Sequence, residues 1–65
     1  MRDGETELDM VLRHVEDGAR QIAKQRALIA RLQQSGLKTE QAEALLIVFE
    51  DIQRQHQEHL ARLTR

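Results

Sequence analysis

The five residues Ser35-Gly36-Leu37-Lys38-Thr39 break a 65-residue chain into two segments of similar length, each patterned for an α-helix. That break constrains the fold more than any other feature. Gly36 can take the left-handed conformation that closes a helix, and Leu37 then falls where a Schellman motif returns an apolar contact to Leu32. Thr39 follows as an N-cap, with Glu40 and Glu43 in the first turn where the helix dipole favours acids. The competing reading is one unbroken helix running through Gly36, since an isolated glycine costs a helix only about 1 kcal/mol. The turn signals on both sides favour an antiparallel hairpin.

The first segment carries Leu8, Val15, Ile22 and Ile29 at seven-residue spacing, with Val11, Leu12, Ala19 and Leu32 at intermediate positions. This is a coiled-coil-like seam. Thr6-Glu7-Leu8-Asp9 resembles a capping box, in which the threonine hydroxyl takes an orphan amide and the acid reaches back. The spacing predicts a first helix over about 6–35, a turn at 36–38 and a second helix over about 39–63. Residues 1–5 are expected to form a flexible N-terminus to a single 1–65 domain.

In the second helix the expected seam is Ala42, Leu45, Leu46, Phe49, Ile52, His56, His59 or Leu60, and Leu63. Ala44, Ile47 and Val48 widen it beyond the stripe that one neighbour covers. A helix that is apolar on two sides needs two neighbours. Below about 70–80 residues a single core rarely supplies more than ~3–5 kcal/mol, and the absence of cysteine removes disulfides as a staple. The expected architecture is therefore all-α: a hairpin that dimerises into a four-helix bundle, with Leu45, Ile47, Val48, Phe49, Ile52 and His56 at the subunit interface.

Charge is segregated into blocks. Residues 1–17 hold six acids and two bases, 18–38 five bases and no acid, 39–53 four acids and no base, and 54–65 three bases and one acid. Folding back at Gly36 is expected to set Arg20, Lys24, Arg26 and Arg31 beside Glu40, Glu43, Glu50 and Asp51. It likewise sets the acidic start of the chain toward Arg54, Arg62 and Arg65. Such surface pairs are worth only about 0–1 kcal/mol each, so they fix antiparallel orientation more than stability. Arg26 is also placed to reach Glu50 across the hairpin while its methylene stem packs.

The net charge of −1 gives no global attraction to nucleic acid or to an acidic membrane. The longest apolar run, Ala44 to Phe49, is six residues, against about 20 needed to span a bilayer, and the acidic, polar N-terminus does not resemble a signal peptide. A cytoplasmic protein is expected. Arg13, Arg20, Lys24 and Arg31 line one outer face of the first helix and could track phosphates, which makes RNA binding the alternative function. Against it, Asp9 and Glu16 stand four residues before Arg13 and Arg20, and no aromatic residue is placed to stack on a base.

His14, His56 and His59 form the remaining candidate constellation. A symmetric fold-back places His59 near Val15 and His14, and His56 near Gly18, so three imidazoles could hold a transition ion. No acid completes a metal-binding motif, and a polar layer that specifies register explains the same residues. Gln25, Arg26, Gln33 and Gln53 also fall on or beside the seam and read as interruptions that select one arrangement. No nucleophile with a base and no acid/base dyad is recognisable, so no enzymatic activity and no cofactor are expected.

Five stretches, Arg13-His14-Val15-Glu16-Asp17-Gly18, Ile22-Ala23-Lys24-Gln25-Arg26, Leu28-Ile29-Ala30-Arg31-Leu32, the Gly36 turn with Thr39, and Ala44-Leu45-Leu46 followed by Phe49-Glu50 and His56, span nearly the whole chain. Together they are similar to a family of short bacterial helical-hairpin proteins with no assigned activity. The likeness implies a hairpin and no chemistry. In plan, though not in sequence, the chain also resembles the Rop-type RNA-binding hairpin, whose dimer is a four-helix bundle; fold alone does not assign function. The expected function is a non-enzymatic structural or regulatory module that binds itself and an unidentified protein partner.

Overall fold

The computed structural model describes residues 6–64. Two helices, α1 (Glu7–Gln34) and α2 (Glu40–Leu63), pack against each other as a hairpin. The first helix starts at a complete capping box: the Asp9 amide donates to Thr6 Oγ1 at 3.1 Å, and the Thr6 amide donates to Asp9 Oδ2 at 3.3 Å. Two of the amides that a helix start leaves without partners are thereby satisfied. The expected flexible segment 1–5 and Arg65 lie outside the described residues.

Gly36 ends α1 with φ +72°. The Leu37 amide donates to the Leu32 carbonyl at 2.9 Å, and the Gly36 amide donates to the Gln33 carbonyl at 3.1 Å. This is the full Schellman pair. The Leu37 side chain nonetheless remains 59% exposed, so the apolar contact expected with Leu32 does not bury it. At the start of α2, Thr39 occupies the N-cap position, but its side chain caps no amide. Its hydroxyl instead donates to Glu43 Oε2 at 2.6 Å.

The inward seams follow a strict alternation of four and three residues. In α1 they are Val11, Val15, Gly18, Ile22, Gln25, Ile29 and Leu32, and in α2 they are Ala42, Leu46, Phe49, Gln53, His56 and Leu60, all buried or half-buried. The expected seam is corrected at four interior places, and its end residues Leu8 and Leu63 are exposed. Leu12 and Ala19 stand one position aside in α1 and are exposed, with Gly18 and Gln25 taking the inward sites. In α2, Leu45 and Ile52 are likewise displaced to the flank, with Gln53 inward. Among the described residues, the buried hydrophobic side chains are Val11 and Ile29, and two polar residues, Gln25 and Gln53, are buried as well.

The register also differs from a symmetric fold-back. Gln53 lies against Val15 and Gly18, His56 against His14, and His59 reaches Glu7. The cause is the link. Leu37, Lys38 and Thr39 belong to neither helix; non-helical backbone covers up to ~3.3 Å per residue, where a helix rises 1.5 Å. The chain therefore descends alongside α1 before α2 begins, and Ala42 comes level with Gln25.

Candidate functional site: the glutamine-clamped groove and the uncovered side of α2

Two glutamines join the helices reciprocally. Gln25 of α1 donates through Nε2 to the Ala42 carbonyl of α2, and Gln53 of α2 donates to the Val15 carbonyl of α1, each at 2.8 Å. Each helix carbonyl has a second lone pair to spare, so each bond adds to the intrahelical ladder rather than replacing part of it. The Gln53 layer requires a glycine opposite. The Gln53 amide group occupies the space a side chain at 18 would fill, and its Oε1 is buried with no hydrogen-bond donor among its neighbours.

One turn away, the rings of His14 and His56 lie with centroids 5.1 Å apart and planes tilted by 47°. His59 is turned aside, with Nε2 3.1 Å from Glu7 Oε2. The register therefore brings together two of the three histidines singled out in the sequence and separates the third. Among the described residues, no group of three or more histidine, cysteine or carboxylate side chains is placed to hold a metal ion.

An open cavity of about 250 Å³ lies beside the clamp on one side of the hairpin. Its walls are His14, Gly18 and Gln21 from α1 and Phe49, Ile52 and His56 from α2, with Asp17 and Gln53 completing the lining. Along the same side of α2 run Leu45, Val48 and Ile52, which are 44%, 49% and 45% exposed. Of the residues expected at a subunit interface, these three are uncovered by α1, Phe49 and His56 are half-covered by it, and Ile47 is directed outward and is the most exposed of the described large hydrophobic residues.

Ion pairs lie on the exposed surface of the hairpin. Arg26 Nη2 pairs with Glu50 Oε2 at 2.9 Å across the hairpin, as its position in the sequence suggests. Arg20 pairs with Asp17 within α1, three residues away, rather than with Glu16, and Arg54 pairs with Asp51 within α2. Of the basic stripe, Arg20, Lys24 and Arg31 are exposed and Arg13 is half-buried. Ser35 sits at the C-cap of α1, where its backbone amide donates to the Arg31 carbonyl at 3.1 Å, and the Thr64 hydroxyl donates to the Leu60 carbonyl at 3.0 Å.

Among the described residues, no helix is long and apolar enough to cross a membrane. In comparison with known proteins, no family model, curated protein or solved structure matches the chain.

Proposed function

We propose that this chain is a non-enzymatic structural or regulatory interaction module, acting in the cytoplasm as a homodimeric helical bundle. The observation that carries the reading is the uncovered row of Leu45, Val48 and Ile52, at spacings of three and four along one side of α2. Such a row has the spacing of a second coiled-coil seam, which α1 leaves uncovered. Among the described residues the hairpin alone buries two hydrophobic residues, Val11 and Ile29, and a helical pair of this size gains its stability by burying such a row against another helix. A second copy is the partner always available at the concentration of the first.

Sedimentation equilibrium combined with thermal unfolding tests the reading. Folding coupled to association raises the thermal midpoint with protein concentration. A fully helical monomer whose midpoint does not move with concentration would overturn it. RNA binding by Arg13, Arg20, Lys24 and Arg31 is the competing function, and a salt titration of gel retardation with mixed cellular RNA separates the two: phosphate binding weakens steeply as salt rises.

A further inference from the structure

We propose that the cavity between the helices is a socket for Leu45 of a second copy, so that two hairpins dock α2 on α2 in antiparallel fashion about a two-fold axis at Val48 and Phe49. This rests on the homodimer reading above and specifies its geometry. The cavity lies at the level of Ile52, which forms part of its wall with Phe49 and His56. Leu45 projects from the same side of α2 seven residues earlier, 44% exposed. Seven residues are two helical turns, about 10.5 Å. One surface thus carries an apolar knob and an apolar hole two turns apart.

A two-fold axis midway between them exchanges knob and hole, so each Leu45 enters the other hairpin's cavity and the contact closes on itself. Size permits the fit: an apolar cavity of ~150 Å³ holds a benzene ring, and this one measures about 250 Å³. Charge favours the same direction. Residues 39–53 hold four acids and no base, so parallel docking in register would set each of Glu40, Glu43, Glu50 and Asp51 level with its own copy, whereas antiparallel docking about this axis pairs 44–53 with 44–53 and 39–43 with 54–58 and moves every one of these acids out of step with its copy.

Disulfide trapping tests the geometry on the full chain, which contains no cysteine of its own. V48C, near the axis, is expected to cross-link to itself under mild oxidation. L45C and I52C are each expected to stay uncross-linked alone, because same-numbered positions are about two turns apart and a disulfide tolerates a Cα separation of at most ~7 Å. An equimolar mixture of L45C and I52C is expected to give the mixed dimer. Self-cross-linking of L45C and I52C would show parallel docking and overturn the proposal, as would a dimer by mass that cross-links at none of the three positions. A monomer by mass at high micromolar concentration overturns the homodimer reading itself, and an occupant of another kind, such as a different protein or a small apolar ligand, belongs to that outcome. As a second measurement, Leu45→Asp is expected to weaken dimerisation by about 30-fold or more, as loss of an interface anchor does, while Leu12→Asp leaves it unchanged.

Discussion

Gln53 fills the notch that Gly18 leaves in α1: a Cβ built at position 18 would stand 2.8 Å from Gln53 Cδ and closer still to its Oε1. The contact makes a glycine in the interior of a helix a packing requirement. Alanine at that site would favour the helix by about 1 kcal/mol, yet the fold uses the missing side chain to bring a buried amide against the Val15 carbonyl.

Gly18→Ala is therefore expected to destabilise the chain by about 1–3 kcal/mol, since it displaces Gln53 from a buried hydrogen bond. In a Gln53→Ala background the same change is expected to stabilise by up to ~1 kcal/mol, because the obstruction is gone and only helix propensity remains. Denaturant unfolding of the four variants checks this double-mutant cycle. Additive effects would mean that Gly18 and Gln53 do not touch.

Gly36→Ala is expected to cost about 1–2 kcal/mol, the penalty of placing a Cβ in left-handed backbone. Nothing lies within 4 Å of a Cβ built there, so the cost is conformational and not steric crowding. Gly36→Asn should lose less, because asparagine tolerates this region. Thermal unfolding of both variants ranks them.

Arg26→Ala is expected to lower stability by no more than about 1 kcal/mol and to lose that effect at high salt, as for any exposed ion pair. A salt series on wild type and variant measures it. A larger effect that persists in salt would assign Arg26 a packing role through its methylene stem.

Phe49 is half-covered by α1. If a second copy completes its burial, Phe49→Ala is expected to cost about 3–5 kcal/mol in the associated state, and visibly less at dilutions where the chain is monomeric. Denaturant unfolding at two concentrations distinguishes these values, and an effect under about 1 kcal/mol at both would remove Phe49 from the core.

Chelator is expected to leave the thermal midpoint unchanged, since the register parts His59 from the His14 and His56 pair. A reproducible drop of several degrees that His56→Leu abolishes would establish a metal site at that pair.

The caps, the turn and the helical periodicity were legible in the sequence because each depends on residues within a few positions of one another. Thr6 with Asp9, Gly36 with its neighbours, and the seven-residue recurrence of Val15, Ile22 and Ile29 are of this kind. Arg26 and Glu50 were also legible, since long charged side chains tolerate an error in register. The inward glutamines were harder to assign, although a four-three count from Val15 lands on Gly18, Ile22, Gln25 and Ile29 and carries the signal. Apolar residues one place away, Leu12 and Ala19, drew the seam aside.

The register itself was decided by the tertiary structure. The axial distance spanned by Leu37, Lys38 and Thr39 depends on backbone angles that their identities leave free, and a shift of about one turn determines whether His56 or Gln53 meets Gly18. Only the packed helices select Gln53, because its amide alone both fits the space over Gly18 and reaches the Val15 carbonyl. Pairing of His14 with His56, the release of His59 to Glu7 and the cavity beside Ile52 all follow from that one choice.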